Sequence, residues 1–189
     1  MPLIGVSLLM DSKWSEVLSE DPANWWVDRM YLQDAFAVAR HSTDTDTQVG
    51  AVFVVPAGGV VLSAWNAVPE NLYDYECTPE TKNYCTEHAE RAVVFKALQN
   101  GLPTQGLTVY CTWGVCADCA RTLIEFGIKR VVTLCRLVEA SPERWQDSMH
   151  NGLLMMKCSG IKTVWWSGDL GTKYNIRFNG RVVGNEDLL

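Results

Sequence analysis

A chain of 189 residues, 48% hydrophobic and 20% charged, has the composition of a folded globular protein and room for one domain with a full core. Its net charge of −6, without any run of Lys or Arg, disfavours a long nucleic acid as partner. No apolar run approaches the roughly eighteen residues of a membrane span, and the apolar start MPLIGVSLLMDSKW lacks the basic region and cleavage site of a signal peptide.

In chain order, WWVDRMYLQDAFAVARHS (25–42) predicts a helix with Val27, Tyr31, Ala35 and Val38 on one face. TQVGAVFVV (47–55) and GVVLSAW (59–65) are β-branched runs separated by PAGG, which predicts a hairpin. The polar stretch from Glu70 to Glu87 predicts a loop. A helix is expected from His88 to Asn100, closed by Gly101 with Pro103 beyond it. LTVYCT (107–112) reads as a strand, CADCARTLIEFG as a helix ended by Gly127, and KRVVTLC as a strand. Ser141-Pro142-Glu143 reads as a helix start with Ser capping and Pro in the first turn. Trp145, Met149, Leu153 and Met156 continue that helix on one face, and IKTVWW follows as a strand. This alternation implies an α/β fold, a largely parallel sheet with helices packed on its faces. In the tail, Asn179-Gly180 between extended runs predicts a second hairpin. The expected division is an N-terminal extension (1–24), a main α/β domain (25–168) and a C-terminal tail (169–189).

Seven cysteines, an odd number without the spacing of a secreted disulfide framework, point to a reducing cytoplasm. Two of them, Cys116 and Cys119, stand where a strand hands over to a helix, a place where free backbone N–H groups favour thiolates. His88 stands at another predicted helix start. Two thiolates and an imidazole suit zinc, and three protein ligands leave a fourth position for water. Glu90 then serves better as a proton carrier than as a ligand. If both helix starts lie at one end of a parallel sheet, they share the crevice where such sheets bind ligands. H-x-E followed by C-x-x-C, with the Glu as general acid/base, is also the pattern of zinc deaminases. A thioredoxin-like redox pair at Cys116/Cys119 leaves His88 and Glu90 unexplained. A closed structural site needs a fourth ligand, for which Cys85 is the nearest candidate.

From Tyr31 to Trp166 the sequence resembles the cytidine deaminase-like superfamily and, within it, the deoxycytidylate (dCMP) deaminases, phage versions included. The resemblance is carried by ARHSTDTDTQVGAVFV, WNAVP, HAE, VYCT…CADCAR and FGIKRVV. It implies a three-layer α/β/α fold with a mixed five-stranded sheet and helices on both faces. It implies Zn2+ held by His88, Cys116 and Cys119. Glu90 would be the catalytic acid/base that takes a proton from water and delivers protons to N3 and the departing amine. Asn66 matches a nucleotide-binding asparagine of the family. The backbone N–H groups of Ala89 and Cys116 lie at helix starts suited to the pyrimidine edge, and Trp113 and Val115 flank the same turn. Trp113 fits a stacking wall and a core position equally well. The family further implies a homo-oligomer, dimer or hexamer, with dCTP and dTTP as effectors of some members.

The sequence departs from the family at several positions. Val115 replaces a proline before the first zinc cysteine, Ala92 an asparagine, and Ala67 a glycine. The stretch from Glu70 to Glu90 carries six acidic residues, so a nucleotide phosphate finds only Lys82 and Arg91 near in sequence. Cys77 and Cys85 fall in a loop that holds an additional zinc in some relatives, and are expected to be ordinary buried or free thiols here. Trp14, Trp25 and Trp26 either cover an oligomer interface or pack on their own domain.

Overall fold

The computed structural model describes residues 14, 20–57, 59–72 and 75–189, so most of the expected N-terminal extension lies outside the described residues. A 3-10 turn (Pro22–Asn24) leads into α1 (Trp25–Ala39). β1 (Gly50–Val54) and β2 (Val60–Trp65) form the expected hairpin. A short α2 (Lys82–Cys85) lies within the stretch expected to be all loop, and α3 (Ala89–Gln99) follows. The chain continues through β3 (Thr108–Cys111), α4 (Ala117–Glu125), β4 (Arg130–Leu134) and a short, unexpected α5 (Cys135–Glu139). Then come α6 (Glu143–Cys158) and β5 (Lys162–Trp166). β6 (Ile176–Phe178) and β7 (Arg181–Val183) make the tail hairpin, with Asn179 and Gly180 both at positive φ as a tight two-residue turn demands.

The main sheet has the order β2-β1-β3-β4-β5. β1 is antiparallel to both its neighbours, and β3, β4 and β5 are mutually parallel, so every strand but β1 runs in one direction. Successive side chains of a strand point to opposite faces, and both faces are covered. Ala51, Phe53, Val109 and Val131 face a core closed by α3, α4 and α6. Val52, Val54, Tyr110, Val132 and Val164 face α1, together with Ile176, Phe178 and Val183 of the tail. Hence all five residues of β1 are buried. The result is the expected three-layer α/β/α arrangement around a mixed five-stranded sheet. No helix among the described residues is long and apolar enough to cross a membrane.

The helix ends follow local chemistry. After α3, Gly101 at φ 63° lets its own N–H reach Leu98 O and that of Leu102 reach Ala97 O. Gly127 closes α4 in the same way, through Leu123 and Ile124. At Gly50 a Cβ would sit 2.1 Å from Ala35 O, so the glycine is what allows α1 to lie against β1.

Three expectations need correction. Val27 is 46% exposed, while the inward face of α1 holds Asp28, Tyr31, Leu32, Ala35, Phe36 and Ala39. An apolar pattern cannot reveal Asp28, whose carboxylate is buried because Arg130 grips it with two nitrogens at 2.8 and 2.7 Å and Tyr110 donates at 2.9 Å. Second, Pro142 is the N-cap of α6 and not its first helical residue. Ser141 does not cap: its hydroxyl donates to Leu137 O and accepts from the Trp113 indole. Third, Cys77 and Cys85 are joined in a disulfide, not free. The turn at Thr78–Thr81, tied by its own threonine hydroxyls, and the single turn of α2, which ends at Cys85, bring their Cα atoms to 6.3 Å.

Candidate active site

Because β2 and β3 run in the same direction, the chain leaves both at one edge of the sheet, and the helix starts of α3 and α4 face each other there. His88 is the N-cap of α3 in extended conformation, and Cys116 is the N-cap of α4. Cys119 lies in the first turn of α4. Two backbone hydrogen bonds between Ala67 and Glu87 pin the strand entering His88 beside Asn66. The Glu87 carboxylate accepts from the His88 N–H at 2.9 Å and from Arg91 Nε at 2.6 Å.

His88 Nδ1 lies 3.4 Å from the sulfur of Cys116 and 3.4 Å from that of Cys119. The three donor atoms all fall within 4.8 Å of one another, and this is the group with metal-ligating geometry among the described residues. A tetrahedral zinc with bonds of about 2.3 Å to sulfur and 2.05 Å to nitrogen separates N from S by about 3.6 Å, so the trio fits the ion. Cys119 beside Cys116 lowers the Cys116 thiol to about 4, helped by His88. Burial works against a charged His88, but Cys116 and Glu90 outweigh it and raise the imidazole to about 9. An imidazole and two thiols this close form a donor set from which zinc displaces the protons on binding. Cys85 is committed to its disulfide and is not a fourth ligand.

Glu90 is 3% exposed, and burial is the main cause that lifts its carboxyl to about 7. A carboxyl with that value both accepts and releases a proton near neutral pH. It lines a cavity open to solvent, together with His88 and Cys116.

The other predicted residues divide. Asn66, Lys82, Ala89 and Trp113 line this cavity; Val115 and Arg91 do not. Asn66 is buried, its side-chain oxygen accepting from Val49 N–H at 2.7 Å and its nitrogen donating to Thr47 O at 2.8 Å. Trp113 combines both roles weighed for it, since it walls the cavity and packs against both cores. Its ring stands edge-on to Trp145 and Phe178. Val115 is fully buried, with Gly114 and Cys116 on either side forming the lining. Lys82 is held between Asp44 at 3.2 Å and Asp46 at 3.1 Å, and Arg91 is paired with Glu87.

Sequence reasoning missed the contribution of α6. Arg144, Trp145 and Met149 line the cavity, and the Trp145 ring is edge-on to His88 at 5.8 Å. Ser148 Oγ accepts the Ala117 N–H in the first turn of α4. The apolar spacing of Trp145 and Met149 marked a buried face, but nothing local said what that face would meet.

Residues 26–135 match the model of the cytidine and deoxycytidylate deaminase zinc-binding region. The chain is 29% identical over 120 residues to a probable deoxycytidylate deaminase of Drosophila melanogaster, with 57% of this chain and 58% of that protein covered. It is 29% identical over 141 residues to the deoxycytidylate deaminase of Mus musculus, covering 69% of this chain and 74% of that one. The crystal structure of a dCMP deaminase from the cyanophage S-TIM5 superposes with a TM-score of 0.59 at 20% identity, over 77% of this chain and 98% of that one.

Proposed function

This chain belongs to the family with the cytidine and deoxycytidylate deaminase zinc-binding region, and from that premise we propose that it catalyses the hydrolytic deamination of a deoxycytidine nucleotide, dCMP to dUMP plus ammonia. The observation that carries the reading is the meeting of an imidazole and two thiols within 4.8 Å of one another, beside a buried carboxyl that lines one cavity with His88 and Cys116. A merely structural zinc site has four protein ligands and no use for an acid beside it.

In this reading His88, Cys116 and Cys119 hold the zinc. The ion, when bound, supplies Lewis acidity that brings the pKa of water from 15.7 toward about 7. Glu90 would take one proton from water as its oxygen adds to C4 of the pyrimidine and give it to N3; it would then take the second from the new C4 hydroxyl and deliver it to the amine as C4=O forms and the C–N bond breaks. One water enters and one ammonia leaves. Trp113 and Trp145 offer ring surfaces to the base, and the N–H groups of Ala89 and Cys116 offer donors to its edge. Asn66 holds the β1 entrance in place and keeps one amide hydrogen for the sugar. The catalytic unit is taken as 25–168, with 1–24 as an extension and 169–189 as the tail. A cytoplasmic location rests on the cysteine count alone; a homo-oligomer, dimer or hexamer, with dCTP and dTTP as effectors, rests on likeness to the family alone.

Ammonia release by zinc-loaded protein from deoxycytidine, dCMP, dCTP, CMP, 5-methyl-dCMP, adenosine and guanine tests the proposal. Preferred turnover of dCMP is expected. Silence on every compound with stoichiometric zinc bound would sink the catalytic reading. One observation favours a second reading, in which a nucleoside is the substrate: the Lys82 charge is already balanced by Asp44 and Asp46. Equal turnover of deoxycytidine and dCMP would select it.

A further inference from the structure

Apart from His88, two cationic side chains among the described residues line the cavity, Lys82 and Arg144. Lys82 sits between two carboxylates, Asp44 and Asp46, at 3.2 and 3.1 Å. Arg144 makes no ion pair or hydrogen bond among the described residues, and its side chain is exposed. It stands in the first turn of α6, next to Trp145, whose ring is 5.8 Å from His88. The same helix thus presents an aromatic wall to the cavity and a guanidinium, unpaired among the described residues, at its solvent side. A cytosine whose reacting carbon lay beside the buried Glu90 would direct its sugar toward solvent, the side on which Arg144 is exposed.

We infer that Arg144 is the specificity-determining cation of this site, binding the 5′-phosphate of a nucleotide and so selecting nucleotide over nucleoside. The inference rests on the deaminase reading for the identity of the base, but not for the anion. A guanidinium matches a phosphate with two parallel N–H bonds, and each such charged bond is stronger than a neutral one. Lys82 cannot serve equally, because a phosphate approaching it also approaches Asp44 and Asp46. The structure thereby replaces Lys82 and Arg91, the two bases nearest in sequence, with one from a helix more than fifty residues downstream of both. The acidic composition of the Glu70–Glu90 stretch ceases to be an obstacle, since the phosphate site is not on it.

The test compares Arg144→Ala and Lys82→Gln with the unsubstituted zinc-loaded protein. For turnover, the ratio of kcat/KM for dCMP to that for deoxycytidine is measured. For binding alone, the affinities for dUMP and deoxyuridine are measured by calorimetry. Arg144→Ala is expected to lower both nucleotide-to-nucleoside ratios by about 10- to 100-fold, the scale of a lost charged hydrogen-bond pair. Ratios unchanged in Arg144→Ala, or lowered only in Lys82→Gln, overturn the inference. If the unsubstituted protein deaminates neither compound, the dCMP reading fails while the dUMP arm still decides whether Arg144 binds the phosphate.

Discussion

Gly152 is where α6 touches the cysteine-bearing turn, and replacing it by alanine is the sharpest test of the geometry. A Cβ there would stand 2.7 Å from Val115 O, 2.8 Å from Cys116 C and 2.8 Å from Cys116 O, all backbone atoms without the freedom of a side-chain tip. Ordinary contact begins near 3.4 Å, so the helix and the turn must separate by about 0.7 Å. Overpacking of this kind costs about 1–3 kcal/mol, which in a protein of this size lowers Tm by about 2–12 °C. The displacement falls on Cys116, and metal–ligand bonds tolerate only about 0.2 Å. Zinc affinity is therefore expected to fall along with stability. Differential scanning calorimetry gives the first quantity and competition with a chromophoric chelator the second. Asn151→Ala, on the exposed side of the same helix, is the control and should stay within about 0.5 kcal/mol. A Gly152→Ala protein with unchanged Tm and unchanged zinc affinity would refute the close packing of α6 on the metal-site turn.

Glu90→Gln should lower kcat by about 10²–10⁴-fold while zinc content by atomic absorption stays stoichiometric; retention of activity in a purified sample would remove Glu90 from the mechanism. Cys116→Ser should bind markedly less zinc at equal free metal, and a normal zinc content would take Cys116 out of the ligand set. Asp28→Ala leaves Arg130 and Tyr110 without their shared acceptor, and breaking such a buried pair costs about 3–5 kcal/mol, measurable by urea denaturation. Burial acts to raise the Asp21 carboxyl, but Lys162, Asn24 and Arg130 together hold it at about 2. Its folded value lies below its unfolded one, so its contribution is full above about pH 4 and is lost as pH falls toward 2. Asp21→Asn should flatten the acid limb of the stability curve, and an unchanged limb would place the acid sensitivity elsewhere.

The legible part of the site was the part held by short sequence spacing at helix starts. His88 and Glu90 are two residues apart, Cys116 and Cys119 three, and each pair sits where a chain leaving the sheet edge enters a helix. Strand direction then brings the two starts together; the alternation of strands and helices implied the parallel run of β3 to β5, while the matching direction of β2 was only a condition of the sequence reading. What could not be read is what depends on long-range packing. Asp28 looks like a surface residue until Arg130, 102 positions later, supplies the charge that permits burial. The Cys77–Cys85 pairing depends on a turn and a four-residue helix too short to give a periodic signal. Lys82 looked like a free cation because its partners, Asp44 and Asp46, lie 38 and 36 positions earlier.

The same distinction explains why α6 carries so much of the site with no motif of its own. Its inward positions must satisfy several demands at once: Trp145 reaches toward His88, Ser148 accepts from the first turn of α4, Met149 closes the core, and Gly152 clears the Cys116 carbonyl. These residues are spaced by three, one and three, which is the period of one helical face, so a single rigid element sets the distance from the metal-site turn to the cavity mouth. Arg144 stands next to Trp145 at the end of that element. A displacement of α6 at Gly152 would therefore move the cysteine turn, the aromatic wall and the mouth cation together. Gly152→Ala should consequently change zinc affinity and dUMP affinity in the same preparation, whereas Arg144→Ala should change only the second. If Gly152→Ala lowered zinc affinity and left dUMP binding intact, α6 would have to be flexible between its fourth residue from the glycine and its start, and the single-element account would fail.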